Sequence, residues 1–164
     1  MVDDFATVYN KNMHQLGSPT LGTSFFKSLN WTEHANAEIL VAYHNDKPIG
    51  GGFCMWYDGY YENTWFSTLN TYNSLYTSYA LHAEMIKSAI DKKMKVYSMG
   101  RSTTNSGVRN YKQQWPVEEV PLYFNSTKKS GFKLKDQKWL TGIWRILPPI
   151  VVNNIGPVIA KRIS

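Results

Sequence analysis

Apolar residues near the start of the chain recur every three or four positions, which is the spacing of an amphipathic helix. This spacing predicts a first helix that ends at Gly17 and a second, short helix that begins near Thr23 or Ser24. An aspartate at the start of the first helix, Asp3 or Asp4, is expected to cap its unpaired N–H groups. The chain is therefore predicted to open with two helices.

Apolar segments bounded by short turns predict three consecutive strands, at 38–43, 48–57 and 60–67. The turns between them, of which Asp58-Gly59 is the stronger signal, have the composition that joins antiparallel strands. The second strand contains a glycine run at 50–52. Because no helical pattern follows this run, it predicts a bulge or the close approach of another backbone or a ligand, and not a phosphate-binding loop.

A long amphipathic helix is predicted after these strands. Its expected buried face carries residues at helical spacing: Leu75, Tyr79, His82, Ala83, Ile86 and Ile90. A strand at 96–99, a short helix at 108–115 and an alternating segment at 120–124, which predicts a last strand, complete the order. This order predicts an α/β (α+β) fold with a mixed, mostly antiparallel central sheet flanked by helices.

Length and composition fit one folded domain. The chain has 164 residues, 43% of them hydrophobic and 18% charged, which is enough to bury a core. Its single cysteine, Cys54, excludes an internal disulfide and is expected to be a small buried residue, and no metal-ligand spacing is present. The N-terminus lacks a signal-peptide core and no apolar run approaches a membrane span, so we expect a cytoplasmic protein without an integral membrane segment.

Charge is distributed unevenly along the chain. Residues 1–86 carry a net charge of −5, whereas residues 87–164 carry +11. A field of this sign draws anionic ligands to the C-terminal half. Phosphates, carboxylated cell-wall precursors, tRNA and an anionic membrane surface all fit, and the charge also serves solubility alone.

The stretch that follows the strand at 96–99 is the candidate for chemistry. Arg101 lies where that strand ends, which is the usual place for ligand contacts in open α/β sheets. Residues 92–117 hold six basic side chains and no acidic one, so Arg101, Arg109 and Lys112 are expected to lack a local carboxylate partner. A guanidinium without a partner can bind a carboxylate or phosphate group. The alternative is that these three side chains are ordinary solvated surface charges.

The same stretch also resembles a known family. The residues that carry the resemblance are Met99-Gly100-Arg101-Ser102, Ser106-Gly107, Tyr111-Lys112-Gln113-Gln114-Trp115 and Pro121-Leu122-Tyr123. In order and spacing they are similar to the pattern of FemAB-like acyltransferases of the GNAT superfamily, which are related to peptidoglycan bridge formation. Pro116 stands where that family usually has a glycine. The resemblance extends over nearly the whole chain and corresponds to the C-terminal GNAT-like domain of the family.

The resemblance implies a GNAT-like fold in which the parallel strands at 60–67 and 95–99 splay apart at the centre and form the ligand site. It implies substrate-binding roles for residues of the motif: Arg101, Ser102, Ser106, Gly107, Tyr111 and Lys112. Arg101 and Lys112 are expected to anchor an anion, and Ser102 and Tyr111 to form hydrogen bonds. Trp115 is either a wall of the site or core. The sequence leaves the catalytic residue unknown.

The implied reaction is transfer of an acyl or aminoacyl group to an amine of a cell-envelope precursor, related to peptidoglycan or polysaccharide. The turn at 70–74 has no glycine and no basic residue, which disfavours coenzyme A as donor. Aminoacyl-tRNA or acyl-CoA both stay open as donors. The alternative is a non-catalytic GNAT-like binding module, or a fragment of a two-domain FemAB-like protein.

The chain is predicted to divide into a GNAT-like domain at 1–127 and a basic, apolar C-terminal tail at 128–164. Pro148-Pro149 is expected to interrupt a helix that begins near Leu140. The tail either packs on the domain or on a partner subunit, or lies on a membrane interface. Because family members usually have two such domains, we expect a homodimer that substitutes for the pair.

Overall fold

The computed structural model describes residues 1–29, 36–123, 125 and 138–163. Within these residues the helices are α1 (Val2–Leu16), α2 (Thr23–Ser28), α3 (Thr77–Asp91), α4 (Gly107–Lys112), α5 (Lys138–Ile146) and α6 (Pro149–Ile163). The strands are β1 (Ala37–His44), β2 (Lys47–Tyr57), β3 (Tyr60–Thr68) and β4 (Val96–Ser98). A 3₁₀ helix, Asn70–Leu75, immediately precedes α3.

The four strands form one mixed sheet in the order β1-β2-β3-β4. The first three pair as an antiparallel meander, and β4 pairs with β3 in parallel. Helices cover both faces of this sheet, as the two core clusters below show. The predicted fold class is therefore confirmed, and so is the parallel pairing of β3 with β4, although this pair lies at one edge of the four described strands and not at the centre.

Strand β3 contains a bulge. Cys54 of β2 lies opposite Asn63, whereas the preceding Phe53 lies opposite Trp65, so Thr64 is an extra residue in β3. An extra residue reverses the alternation of side chains beyond it. The Trp65 ring accordingly packs on Phe53, on the face covered by α1 and α2.

Two core clusters fill the two faces of the sheet. One joins α1 and α2 to the sheet through Phe5, Tyr9, Phe26, Ile39 and Phe53. The other joins α3 to the opposite face through Cys54, Tyr61, Leu81, Met85 and Ala89. Burial raises the pKa of the Cys54 thiol to about 12, in agreement with its predicted role as a buried apolar residue.

The glycine run at 50–52 lets the helices approach the sheet closely. A Cβ atom at Gly51 would lie 2.9 Å from the Phe5 ring, and a Cβ atom at Gly52 would overlap the Met85 methyl group. The predicted close approach is confirmed, and its partners are helix side chains. The register irregularities of β2 lie outside the glycine run, beside Pro48 and between Phe53 and Cys54.

Three local predictions are wrong. Met1, and neither aspartate, is the N-cap of α1. Helix α3 buries a face that is rotated from the predicted one, because Leu81 and Met85 pack over the glycine run of β2 and His82 contacts Phe66 and Tyr97, while Ile90 is 67% exposed. The described part of the alternating segment, 120–123, forms no strand, since no described strand lies beside it with which it could pair.

Helices α5 and α6 are separated at the predicted proline pair and pack against α1 and the loop after it. A Cβ atom at Gly17 would lie 2.6 Å from the Thr141 carbonyl oxygen, and one at Gly22 would lie 2.7 Å from the Pro157 ring. Gly156 lies equally close to Thr20. The domain boundary at 127/128 stays a prediction. Among the helices described, none has both the length and the apolar character needed to cross a bilayer.

Candidate functional site

The central feature of the candidate site is a wedge between β3 and β4. The two strands pair only from Tyr60–Val96 to Glu62–Ser98, and β3 then continues to Thr68 without β4 beside it. In the part of the chain that the structure describes, no other strand pairs with this edge of β3. Backbone N–H and C=O groups along the edge are therefore available to a ligand.

Gly100 closes the narrow end of the wedge. Its φ angle is +70°, a conformation that residues with a side chain rarely adopt. A Cβ atom there would also lie 3.2 Å from the carbonyl oxygen of Asn63 and 4.0 Å from a carboxylate oxygen of Glu62. The glycine of the sequence motif therefore lets the loop after β4 turn directly against β3.

The N-terminus of α3 forms the open end of the wedge. Tyr76, with φ +52°, is the N-cap and supplies no side-chain hydrogen bond, although a residue at this position commonly caps the first turn. An open pocket of about 220 Å³ lies here, lined by Thr68, Asn73, Tyr76, Thr77, Ser78, Tyr79 and Tyr111. Uncapped N–H groups and the helix dipole favour an anion at such a place.

The hydroxyl group of Thr77 is the most informative atom of this pocket. Thr77 is only 6% exposed, and its Oγ1 atom is buried without a hydrogen-bond partner among the described residues. A buried polar atom without a partner is costly and calls for an explanation, such as a ligand that supplies the partner. No sequence pattern marks Thr77 beyond its place at the start of a helix.

Helix α4 brings one predicted site residue, Tyr111, to this pocket. The helix is capped by Ser106, whose Oγ atom accepts a hydrogen bond of 3.2 Å from the Arg109 N–H and donates one of 2.7 Å to the Thr103 carbonyl oxygen. Gly107 is the first residue of α4, and a Cβ atom there would meet nothing within 4 Å. The structure thus uses Ser106 to build α4, and the substrate-binding roles of Ser106 and Gly107 stay predictions.

The Tyr111 ring packs edge-on against Tyr79, with 5.1 Å between ring centroids. Burial raises the pKa of Tyr111 above its ordinary value, so its phenol is protonated at neutral pH. The Trp115 ring stacks on Tyr79 and contacts His82, which places it in the packing beneath the pocket. Tyr111 therefore lines the pocket as a protonated phenol.

Lys112 is not a free cation. Its ammonium group donates hydrogen bonds to the backbone carbonyl oxygens of Gly100, at 2.8 Å, and Arg101, at 3.1 Å. Desolvation lowers the pKa of Lys112, and the nearby Glu62 carboxylate opposes that effect. The observed contacts of Lys112 hold the loop after β4, and its predicted role as an anion anchor stays a prediction.

The two arginines of the motif differ. Arg109 forms an ion pair with Glu119, with 2.8 Å from Nη2 to Oε2 and 3.3 Å from Nε to the same oxygen. The expectation that Arg109 has no local carboxylate partner is therefore wrong, because Glu119 lies just beyond the acid-free stretch. Arg101 and Ser102 are exposed, and their side chains have no hydrogen-bond or ion-pair partner among the described residues.

His82 was predicted only as a residue of the buried face, yet it connects both arms of the wedge. Its Nδ1 atom lies 2.8 Å from the Tyr97 hydroxyl of β4, and its ring stacks on Phe66 of β3 at 4.7 Å. Burial, with a smaller contribution from the Lys112 charge, lowers the pKa of His82 to about 4. His82 is therefore neutral at physiological pH, and it packs between the two strands of the wedge and helix α3.

Comparison with known proteins agrees with this geometry. Residues 1–113 match the family model described as "Acetyltransferase (GNAT) domain". The solved structure of an aminoglycoside antibiotic 6'-N-acetyltransferase from Acinetobacter haemolyticus, in its apo form, is similar, with a TM-score of 0.55 and 14% identity over 78% of this chain and 92% of that chain. At that identity the likeness shows the fold alone. No curated protein sequence matches the chain.

Proposed function

This chain belongs to the GNAT acetyltransferase family, and on that basis we propose that it is an N-acyltransferase that moves an acyl group from an acyl-CoA to an amine. The observation that carries the proposal is the buried, unpartnered hydroxyl of Thr77 in the pocket at the start of α3. The pyrophosphate of coenzyme A supplies the acceptor oxygens that this hydroxyl and the first N–H groups of α3 lack. The FemAB-like placement and the cell-envelope acceptor rest on the sequence resemblance.

The residues present fit this donor. Although the turn at 70–74 has no glycine, Tyr76 adopts the left-handed conformation that a glycine would otherwise provide. No side chain then caps the first turn of α3. In the sequence, the missing glycine argued against coenzyme A as donor. The left-handed backbone of Tyr76 supports the donor in its place.

The unpaired edge of β3 can form hydrogen bonds with the amide groups of the extended arm of coenzyme A. An extended chain that lies along an unpaired strand edge gains main-chain hydrogen bonds. The edge from Asn63 to Thr68 is open on the β4 side, and the bulge at Thr64 lies within it. The arm would run from the α3 pocket toward the narrow end of the wedge, so that the acyl group lies near Glu62.

The chemistry requires a base for the amine and an acid for the leaving group. When bound, the donor supplies a thioester whose carbonyl carbon is electrophilic. Glu62, at the narrow end beside Gly100, is placed to accept the proton of the attacking amine. The departing thiolate takes up a proton from solvent, while Tyr111, which is protonated at neutral pH, lines the pocket proposed for the pyrophosphate and can donate a hydrogen bond there. The exposed guanidinium of Arg101 is free to hold a carboxylate or phosphate of the acceptor.

A Thr77→Val variant tests the proposal. The substitution keeps the shape of the side chain and removes the unpartnered hydroxyl, so the free energy of unfolding of the apo protein should stay the same or rise by about 1 kcal/mol. The dissociation constant for coenzyme A, measured by calorimetry, should rise about tenfold. The matched control is Thr20→Val, whose buried hydroxyl bonds Asn10 and the Gly22 N–H and should therefore cost stability without changing donor affinity.

An unchanged coenzyme A affinity in Thr77→Val would remove the proposed donor site. If the wild-type protein binds an aminoacyl-tRNA mimic and ignores coenzyme A, the donor is aminoacyl-tRNA. If it binds coenzyme A but transfers no acyl group to any amine in a mass-spectrometric panel that includes peptidoglycan precursors, the chain is a binding module. Light scattering at micromolar concentration tests the proposed homodimer.

A further inference from the structure

The pocket at the start of α3 is lined by uncharged side chains. The residues that line it carry hydroxyl groups, apart from Asn73, which carries an amide. These groups and the first N–H groups of α3 can donate hydrogen bonds to phosphate oxygens, but none of them can form an ion pair with a phosphate. The pocket thus lacks the cation that commonly strengthens phosphate binding, and a donor bound there gains from any further contact at the rim.

Tyr76 is the most exposed aromatic residue that lines this pocket. It is 70% exposed, whereas the neighbouring Thr77 is 6% exposed. In the described part of the chain the Tyr76 ring contacts the Tyr79 ring, with 6.0 Å between the centroids and 61° between the planes. Tyr79 is itself fixed, because its hydroxyl donates a hydrogen bond to Gln114 Oε1 and its ring stacks on Trp115. A fixed neighbour therefore holds Tyr76 by one contact and leaves much of its ring open to solvent.

The backbone of Tyr76 disfavours a tyrosine. Its φ angle of +52° lies in the left-handed region, which glycine and asparagine adopt most readily. The other described residues with a side chain and a positive φ are Asn45, Asp46, Asp58, Lys93 and Asn105, none of which is aromatic. Because the Tyr76 ring is exposed, it buries too little apolar area to offset this strain. Strained residues concentrate at ligand sites, and a ligand that covers the ring would account for the strain at Tyr76.

The position of the ring identifies the part of the donor that it contacts. In the proposed function, on which this inference rests, the pyrophosphate lies beside Thr77 and the amide-bearing arm runs along β3. The nucleoside at the other end of the pyrophosphate then leaves the pocket at its rim, where Tyr76 lies. A base that stacks on an aromatic side chain gains about tenfold or more in affinity. We propose that the Tyr76 ring stacks on the adenine of acyl-CoA and so selects a nucleotide-bearing donor over a thioester on a phosphopantetheine arm alone.

Calorimetric titration of the full chain with two ligands tests the proposal. Coenzyme A carries the adenine, and 4′-phosphopantetheine carries the same arm and thiol without the nucleotide. Tyr76→Gly should weaken coenzyme A binding about tenfold and leave the dissociation constant of 4′-phosphopantetheine within about twofold of wild type. Tyr76→Leu, which keeps a bulky side chain without a planar face, should also weaken coenzyme A binding. Tyr76→Phe keeps the ring and should bind coenzyme A as wild type does.

Lys93→Gly is the matched control for the backbone. Lys93 lies just beyond the C-terminal end of α3 with a φ of +56°, so glycine relieves the same kind of strain there. The unfolding midpoints of Tyr76→Gly and Lys93→Gly should both stay the same or rise, and Lys93→Gly should keep the wild-type affinity for both ligands. Tyr57→Ala, which removes a ring that is 80% exposed elsewhere, should also bind both ligands as wild type does.

Three outcomes would overturn the stacking contact while the donor site stands. These are an unchanged coenzyme A affinity in Tyr76→Gly, an equal loss for both ligands, and a full loss in Tyr76→Phe, which would assign the contact to the hydroxyl group. A wild-type protein that binds neither ligand would instead remove the donor site of the proposed function, and the stacking contact with it. Because Tyr76→Gly leaves the Thr77 hydroxyl in place, the two failures are distinguishable.

Discussion

The ammonium group of Lys112 donates a hydrogen bond of 2.8 Å to the backbone carbonyl oxygen of Gly100. Lys112 lies at the end of α4, and Gly100 lies just after β4, so this bond fixes α4 against the narrow end of the wedge. The same ammonium group donates a second hydrogen bond to the carbonyl oxygen of Arg101. These two hydrogen bonds are called the clasp below. Tyr111, the neighbour of Lys112, therefore takes its position in the pocket from a contact between side chain and backbone.

The variant Lys112→Met tests this clasp. Methionine keeps the apolar stem and removes the charged donor, so the free energy of unfolding should fall by about 1–3 kcal/mol, the usual cost of a hydrogen bond to a charged group. Because Tyr111 loses its support, KM for the donor should rise as well. Urea denaturation and steady-state kinetics measure the two effects. The control Lys87→Met, on the exposed face of α3, should change stability by less than about 0.5 kcal/mol. Equal behaviour of the two variants would show that the clasp is unimportant.

The two arginines of the motif should separate binding from stability. Arg101→Ala should leave the unfolding midpoint unchanged, because the exposed guanidinium has no partner in the described residues, while KM for an anionic acceptor should rise about tenfold. Arg109→Ala should change the unfolding midpoint little, because a solvent-exposed ion pair contributes little to stability, and should leave KM unchanged. A loss of stability in Arg101→Ala without a change in KM would assign it a structural role.

The proposed base is tested by Glu62→Gln. The amide keeps the size of the side chain and cannot accept the proton, so kcat should fall about 10²–10⁴-fold while donor affinity changes little. Raising the pH, which deprotonates the amine in solution, should restore part of the rate. The control is Glu84→Gln on the solvent face of α3. A kcat within twofold of wild type would exclude Glu62 as the base.

Periodicity predicts much of this fold because local patterns determine most of its elements. The strand pattern between 38 and 67 contains its own turns, so the meander and the close approach at the glycine run are readable. The parallel partner of β3 was placed by the family resemblance. The buried face of α3 was missed because α3 packs on strands that are distant from it in sequence, β2 among them. Residue spacing alone cannot give that rotation.

The candidate site was less predictable for a physical reason. Tyr111 and Lys112 belong to a visible motif, but the contacts that define their roles lie on Tyr79, Gly100 and Arg101. Thr77 and Glu62 carry no local signal, because an ordinary helix start and an ordinary strand position gain meaning only where the sheet opens. The partner of Arg109 was missed because Glu119 lies ten residues away, beyond a turn.

A partly buried hydrogen-bond network around Glu38 predicts how the free energy of unfolding changes in acid. Burial alone would raise the pKa of Glu38, but hydrogen bonds from Ser88, Tyr61 and Lys92 outweigh it, and the pKa lies below its ordinary value. The stabilisation from this group is therefore complete above about pH 4.5 and is lost as the pH falls through the lowered pKa. Glu38→Gln should cost about 1–3 kcal/mol at pH 7 and progressively less below pH 4.5. Urea unfolding at several pH values measures this, and a pH-independent difference would contradict it.

His82 should control how the free energy of unfolding changes with pH above the range in which Glu38 acts. Its pKa is about 4 in the folded protein and near 6.5 when unfolded, because burial disfavours the imidazolium. Between these values the unfolded chain binds a proton that the folded protein does not, so stability falls as the pH drops from about 6.5 to 4, by up to about 3 kcal/mol. In His82→Gln, which cannot titrate, the free energy of unfolding should change less over this range, whatever its value at pH 7. His44→Gln, at an exposed position, should keep the wild-type slope. If His82→Gln shows the full wild-type slope, another group is responsible for the loss of stability in mild acid.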